Sequence, residues 1–152
     1  HKNHKILFDI DNIHSLPIAQ IILTIQEKSS LFEKNSKIAC IGIQDEESVL
    51  NIYKNCDALI FPSLTESYGF PLIEAMWVGI PIICSDLEYA RSMCGDEAIY
   101  FIPKDVHSLE NAIYELNTKL NNGWWPDWSN QLLNIPTSWK SVADKMLDTV
   151  VH

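Results

Sequence analysis

Arginine is nearly absent from this chain, since Arg91 is the only one among 152 residues. The 11 basic residues stand against 20 acidic ones, and the formal net charge at pH 7 is −9. Electrostatic binding to nucleic acid or to an anionic membrane surface needs a basic patch. The composition therefore excludes both as main partners of this segment.

Other features are missing as well. No apolar run approaches the roughly 18 residues that span a bilayer, and the N-terminus lacks a signal-peptide pattern. The four cysteines show no C-x-x-C spacing and the five histidines are scattered. These absences speak against a disulfide framework or a zinc site, and they predict reduced thiols in a cytoplasmic protein.

Short apolar runs alternate with helical patterns along the chain. This alternation predicts the doubly wound α/β (Rossmann-like) class, in which a parallel sheet of about five strands is covered on both faces. The length fits one domain over residues 1–152. Strands are predicted at 18–25, 37–41, 58–61, 81–84 and 98–102.

The predicted helices fill the intervals. Asn3 is expected to cap the first helix, and Leu50 and Trp77 are expected to face the core from the second and third. Tryptophans at 124–128 are expected to pack the C-terminal elements together. A loop or short helix is predicted at 26–36, and helices at 6–13, 45–55, 71–78, 89–93, 108–120 and from about 137.

The chain is organised around the loop at 62–70, which joins a predicted strand to a helix. Pro71 suits the first helical position, and Gly79 suits the helix end. In open parallel sheets ligands bind at such strand–helix loops, where free N–H groups favour an anion such as a phosphate.

Two carboxylates bracket this turn, Glu66 in the loop and Glu74 in the expected first turn of the helix. If both approach one crevice, hydroxyls of a sugar or ribose suit them better than a phosphate, which they would repel. On spacing alone another interpretation stays open, with Glu74 as a solvated acid near the helix dipole and Glu66 as an ordinary loop residue.

The segment from Glu66 to Glu74, with S-Y-G-F-P-L-I between them and A-M-W-V-G-I-P-I after them, resembles the E-x7-E signature of retaining glycosyltransferases of family four. Those enzymes have the GT-B architecture. Residues 84–91 and 94–101 are similar to the segment that follows the signature in members that build bacterial surface polysaccharides. The resemblance covers nearly all of this chain, but only the donor-binding half of a two-domain enzyme.

The resemblance implies transfer of a hexose from a nucleoside diphosphate sugar to a glycan or lipid-linked acceptor. Configuration would be retained, with no obligatory metal and no other cofactor. It assigns Glu66 to the hexose hydroxyls beside the reacting carbon and Glu74 to the ribose. The loop residues that it assigns to the donor are Ser67, Tyr68, Gly69 and Phe70.

Two further assignments come from the same resemblance. Residues 1–5 are similar to the family's lysine-bearing segment, which makes Lys2 the candidate for the donor diphosphate; an ordinary solvated lysine is the alternative. Gly42 and Ile43 match the loop that lines the nucleobase pocket. For these two, a turn glycine beside a core isoleucine is the competing interpretation.

In the family, an N-terminal domain supplies the acceptor site, and a central strand with an arginine precedes the lysine segment. This sequence begins after that strand. The strands at 18–25 and 58–61 are therefore expected to flank a gap in the sheet. Three outcomes could close it: the two strands pair directly, a segment from another copy of the chain lies between them, or residues that precede His1 in the natural protein do so. The open edge, or the helix from 137 that would pack towards the acceptor domain, is expected to permit self-association. The full protein is expected at the inner face of the membrane.

Three alternatives remain open. The chain could belong to a GT-B enzyme of another reaction type, such as a sugar-nucleotide epimerase or a phosphorylase. It could be a non-catalytic donor-binding module that acts with a partner chain. It could also be an α/β domain in which the E-x7-E spacing is incidental.

Overall fold

The computed structural model describes residues 2–10, 13–26, 37–133 and 135. Five short strands lie within this part of the chain, and each falls on a predicted interval. They are β1 (Ile21–Leu23), β2 (Ile38–Cys40), β3 (Leu59–Phe61), β4 (Ile82–Ser85) and β5 (Ile99–Phe101).

Helices separate most of the strands. They are α1 (Lys5–Phe8), α2 (Glu46–Lys54), α3 (Phe70–Val78), α4 (Glu88–Cys94), α5 (Val106–Asn121) and α6 (Ser129–Leu133), with a 3-10 turn at Ile13–Ser15. The sequence pattern did not predict α6. The elements predicted at 26–36 and from 137 lie almost wholly outside the described residues.

The first helix differs from its prediction. α1 has four residues, and His4 rather than Asn3 is its N-cap residue. Asn3 adopts a left-handed backbone with φ of +53°. Its Nδ2 is buried without a hydrogen-bond partner among the described residues. The prediction that Asn3 caps the helix is therefore wrong, because an N-cap residue adopts an extended backbone and accepts with its side chain.

All observed strand pairs are parallel, as predicted. β1 pairs with β2, with Ile21 opposite Ile38. β3, β4 and β5 form a second sheet in that order. Among the described residues no backbone pairing joins β1 to β3, so direct pairing of the two strands does not occur.

The core has two parts, one on each face of β4. Ile83 packs in the cluster that also holds Ile21 of β1 and Leu109 of α5. Ile82 and Cys84 pack in the other cluster, which contains most of the buried residues of α3 and those of α4. All four residues of β4 are buried. Burial on both faces is the pattern of a parallel strand covered by helices on either side.

Two residues predicted to face the core do not. Leu50 is 37% exposed and Trp77 is 61% exposed. α3 already fills its core side with Leu72, Ile73, Ala75 and Met76, and Trp77 follows Met76 by one residue. One residue corresponds to a rotation of about 100° around a helix, which carries Trp77 away from that side. α2 contains no fully buried residue, and it packs against the core only through partly buried side chains.

The tryptophan-rich loop packs as predicted at Trp124, which lies against the core cluster of β1 and α5, and at Trp128. Trp128 is 3% exposed, and its Nε1 donates to the carbonyl oxygen of Ile80 at 3.0 Å. Trp125 makes a similar bond to the carbonyl of Gly79 at 2.6 Å, but its side chain stays 54% exposed. The C-terminal loop is thus fixed against the end of α3.

Candidate functional site

The loop from Pro62 to Gly69 connects the carboxyl end of β3 to the start of α3, as predicted. Gly69 is the N-cap residue and has φ of +73°, in the region that favours glycine. Its carbonyl accepts hydrogen bonds from the N–H groups of Leu72 and Ile73. Pro71 lies in the first turn. The chain therefore turns sharply and presents the N-terminus of α3 beside the end of the strand.

Backbone donors are available at this turn. In the part of the chain that the structure describes, the N–H groups of Tyr68, Gly69 and Phe70 have no hydrogen-bond acceptor. Unpaired N–H groups at a helix N-terminus carry partial positive charge and favour an anion. The geometry of this turn thus suits the phosphate or sugar oxygens that the sequence predicted here.

The structure brings Lys2 to this loop. Its Nζ lies 2.6 Å from Oε1 of Glu66 and 5.7 Å from the centre of the Phe61 ring. The Glu66 side chain is only 12% exposed, whereas that of Lys2 is 43% exposed. The ammonium of Lys2 is therefore paired at the carboxyl end of β3 rather than freely solvated.

The buried hydroxyl of Ser63, which donates to the carbonyl of Thr65 at 3.1 Å, also lies close enough to Glu66 to act on its carboxylate. Burial raises the pKa of Glu66, but hydrogen bonds from Lys2 and Ser63 outweigh it and leave the pKa below the ordinary value. Tyr89 of α4 supports the loop from outside, since its hydroxyl donates to the carbonyl of Ser63 at 2.8 Å. Burial raises the pKa of Tyr89 to about 12, which keeps this donor protonated. Glu66 is consequently a fixed, ionised acceptor at neutral pH.

Glu74 lies in different surroundings. It is the fifth residue of α3, so its predicted place in the first turn is wrong. The hydroxyl of Tyr53, on α2, donates to its Oε2 at 3.3 Å. Burial raises the pKa of Glu74, the bond from Tyr53 opposes this, and the nearby charge of Glu46 raises it further, so the pKa is above its ordinary value.

A cleft of about 530 Å³ opens beside the loop. Glu66 and Tyr68 line it from the loop, Tyr89 and Met93 from α4, and Gln131 from α6. Glu74 is not among its lining residues, and it faces α2 instead. A crevice shared by Glu66 and Glu74 thus stays a prediction.

The proposed base loop follows β2. Gly42 has φ of +77°, and a Cβ placed on it would meet nothing within 4 Å. Ile43 is 77% exposed, so it is not a core residue. Its exposed side chain offers an apolar surface against which a planar base can pack.

Sequence reasoning missed three residues around the two glutamates. Tyr53 and Ser63 act on the carboxylates themselves, and Tyr89 holds the loop that carries Glu66. Tyr53 lies in the helix predicted at 45–55, and a tyrosine with a buried ring and a polar tip generally needs a hydrogen-bond partner. The sequence therefore predicts that the hydroxyl of Tyr53 has a hydrogen-bond partner, but not that this partner is Glu74. Ser63 and Tyr89 gave no comparable signal. The contacts of the Ser63 hydroxyl depend on the conformation of the loop, and the bond of Tyr89 depends on the packing of α4 against it.

Other site types find little support. Across the described ranges no group of three or more His, Cys, Asp and Glu side chains could hold a metal ion. No helix described here is long and apolar enough to cross a membrane.

The chain is similar to known proteins in sequence. Residues 24–120 match the family described as Glycosyl transferases group 1. An O-antigen chain mannosyltransferase B of Escherichia coli is 28% identical over 51% of this chain and 20% of its own length. The O-antigen chain mannosyltransferase RfbU of Salmonella typhimurium is 37% identical over 41% of this chain and 18% of its own length. A serotype-specific mannosyltransferase WbdA of Escherichia coli is 31% identical, over 67% and 14%.

A structural comparison gives the same fold class. The structure of a sucrose-phosphate synthase from Thermosynechococcus elongatus matches with a TM-score of 0.53 and 18% identity. The match covers 77% of this chain and 32% of the synthase chain. This confirms an α/β fold with parallel sheets of the kind found in a GT-B glycosyltransferase. The chain spans a fifth or less of the curated relatives named above.

Proposed function

Because this chain belongs to the family of glycosyl transferases group 1, we propose that it binds the nucleoside diphosphate sugar from which a retaining hexosyltransferase takes its sugar. The observation that carries the proposal is the turn between β3 and α3. It combines unpaired backbone donors with an ionised, lysine-paired carboxylate, and diphosphate and sugar hydroxyls need these two kinds of partner.

Each predicted residue has a role in this proposal. The N–H groups of the loop, with Lys2, hold the diphosphate and stabilise the charge that develops as it leaves. Glu66 accepts hydrogen bonds from hexose hydroxyls beside the reacting carbon. Glu74 accepts from the ribose, and the loop at Gly42 and Ile43 lies against the base. Ser67 belongs to the same donor-binding turn, residues 67–70, which we call the donor cradle.

The acceptor attacks from the face that the diphosphate leaves, so the configuration is retained without a covalent intermediate on Glu66. The proposal requires no metal, because Lys2 and the N-terminus of α3 supply positive charge where a metal would. The diphosphate is therefore neutralised by groups that the loop itself positions.

The sugar and the acceptor are proposed from the relatives. Three of them are named as mannosyltransferases, two with O-antigen chains. We propose mannose as the hexose and a glycan or lipid-linked glycan as the acceptor. The acceptor would bind to an N-terminal domain beyond these residues. The 152-residue chain alone is then expected to be inactive in transfer, and the whole enzyme would work at the inner face of the membrane.

The sheet edges lead to a related proposal. β1 and β3 each have one edge without a strand partner in the described ranges, although both lie against the same apolar core. Open edges beside apolar surface are costly and are generally covered. We propose that a further strand, from the same polypeptide or from a second copy, lies between them. If a second copy of the chain supplies this strand, the protein should self-associate in a concentration-dependent way.

The test is product analysis with the natural polypeptide that carries this chain. GDP-mannose and UDP-glucose would each be incubated with and without a lipid-linked oligosaccharide. We expect a new glycosidic bond with the anomeric configuration of the donor, formed only with acceptor present. Conversion of the nucleotide-sugar without acceptor would indicate an epimerase, and a product of inverted configuration would contradict the proposal.

A further inference from the structure

Tyr53 of α2 contacts one of the two signature carboxylates. Its hydroxyl donates to Oε2 of Glu74 at 3.3 Å, across the packing of α2 against α3. Tyr53 and Glu74 are both partly buried, and Glu74 is one turn into the helix whose N-terminus forms the donor cradle. Within the part of the chain that is described, Tyr53 is the only hydrogen-bond donor to Glu74.

We propose that Tyr53 is a positioning residue for the ribose-binding carboxylate, which it holds in one rotamer with Oε1 free to accept from a ribose hydroxyl. This rests on the proposed function, in which Glu74 binds the ribose. Glu74 could otherwise turn through its terminal torsion, which is broad for glutamate. One bond to Oε2 fixes the plane of the carboxylate and leaves Oε1 without a partner among the described residues.

The charges around Glu74 make this bond matter. α2 presents two groups to it, the hydroxyl of Tyr53 and the carboxylate of Glu46. Burial and Glu46 raise the pKa of Glu74, while the bond from Tyr53 lowers it. Burial also raises the pKa of Tyr53, which therefore remains a donor at any physiological pH. Tyr53 thus helps to keep Glu74 ionised, and an ionised acceptor makes the stronger hydrogen bonds.

The test uses Tyr53→Phe, which removes the hydroxyl and keeps the ring. UDP, GDP and ADP would be titrated in turn into the natural polypeptide by calorimetry, each beside its 2′,3′-dideoxy counterpart. We expect about fivefold weaker binding of the ribonucleotide that the parent binds, the size expected for one lost hydrogen bond. The dideoxy counterpart should bind as it does to the parent. The matched control is Tyr114→Phe, which removes another 3.3 Å bond, from Tyr114 to the carbonyl of Ser15, and should change neither affinity.

A pH series adds a readout that a structural role would not move. In Tyr53→Phe the pKa of Glu74 should rise. As the pH is lowered, Glu74 should therefore become protonated, and ribonucleotide affinity should begin to fall, at a higher pH than in the parent. Glu46→Gln, on the exposed start of α2, should shift the same fall to lower pH, and it keeps the proposal testable if Tyr53→Phe does not fold. Equal losses for ribonucleotide and dideoxynucleotide, or unchanged pH profiles in both variants, would overturn the proposal.

The role of Tyr53 and the proposed function can fail separately. If the folded parent binds none of the three ribonucleotides, the proposed function is wrong. If Glu74→Gln binds ribonucleotides as tightly as the parent, the ribose role of Glu74 is wrong and the positioning role of Tyr53 is wrong with it. If Glu74→Gln weakens binding but Tyr53→Phe does not, only the role of Tyr53 is wrong. Tyr53→Phe should also have no further effect on affinity in the Glu74→Gln background, as expected for residues that act through one bond.

Discussion

Nζ of Lys2 lies 2.6 Å from Oε1 of Glu66, although 64 residues separate them in the chain. The pair joins the N-terminal segment to the loop between β3 and α3. It also balances the charge of a carboxylate beside the turn proposed to receive a diphosphate. Without that balance Glu66 would repel the anionic ligand, so the pair makes the two assignments compatible.

Lys2→Met should raise the pKa of Glu66, since the effect of burial would no longer be offset by the ammonium. Titration of the Glu66 side-chain carbon by NMR measures this directly. A folded-state pKa below the unfolded value stabilises the fold above the unfolded pKa, and this stabilisation is lost as pH falls through the folded pKa. Lys2→Met should weaken that acid dependence, with a loss at pH 7 of about 1 kcal/mol or less, because Lys2 is partly exposed.

The matched control for this titration is Lys5→Met. It removes another lysine–carboxylate pair, between Lys5 and Asp9 on the exposed side of α1. The pKa of Glu66 should stay unchanged in this control. A pKa of Glu66 that is equal in the parent and in Lys2→Met would show that the pair does not hold in solution.

Glu74→Gln should weaken nucleotide binding by about 1–3 kcal/mol, because a charged acceptor is replaced by a neutral one. The fold should not suffer. Glu74 has a raised pKa in the folded state, so its ionised form is disfavoured there, and an uncharged amide of the same shape removes that cost. At pH 7, calorimetry should therefore show weaker nucleotide binding, whereas urea denaturation should show no loss in the free energy of unfolding. Unchanged affinity in a folded variant would remove Glu74 from the site.

Gly69→Val should abolish donor binding, and Gly69→Ala should weaken it strongly. A Cβ at Gly69 would approach Sδ of Met93, a residue that lines the cleft beside the loop, to 3.0 Å. Left-handed backbone also costs a non-glycine residue roughly 1–2 kcal/mol. Gly79→Ala is the control, since Gly79 has φ of +85° with nothing within 4 Å of a Cβ. Equal affinities of the two alanine variants would show that this turn is not the donor cradle.

The sequence predicted the architecture well because its signals were local. Continuous apolar runs such as Ile82–Cys84 identify strands buried on both faces, and Pro71 and Gly79 mark the ends of α3. Trp77 shows where the signal failed. Its apolar character suggested the core, but whether a helix residue is buried depends on what packs against that side of the helix.

The site was predicted only as far as the motif reached. The apolar run at 58–61, and Pro71 with the helical periodicity after it, predicted a strand, a turn and a helix, and all three are present. It could not predict that Glu66 pairs with Lys2 while Glu74 faces Tyr53, because these contacts join segments that are distant in sequence. The cap predicted at Asn3 was wrong because the backbone of Asn3 is left-handed, with φ of +53°, and the N-cap residue of α1 is His4 instead.

Trp128→Phe should destabilise the fold by about 1–3 kcal/mol, because it leaves the carbonyl of Ile80 without its donor in a buried place. Trp125→Phe removes a similar bond to the carbonyl of Gly79, but water can replace it at an exposed side chain. Its effect should be within about 0.5 kcal/mol. Urea denaturation of both variants provides the comparison, and equal losses would contradict the packing role of Trp128.

The central claim is that the turn between β3 and α3 binds a nucleotide-sugar. Ligand-observed NMR with UDP-, GDP-, ADP- and dTDP-sugars, on the natural polypeptide and its Gly69→Val variant, tests this claim most directly. We expect at least one nucleotide-sugar to bind to the parent. Its signal should disappear with Gly69→Val, while the circular dichroism spectrum of the variant remains that of a folded protein. Binding of none of the four to the folded parent, or an equal signal in both proteins, would contradict it.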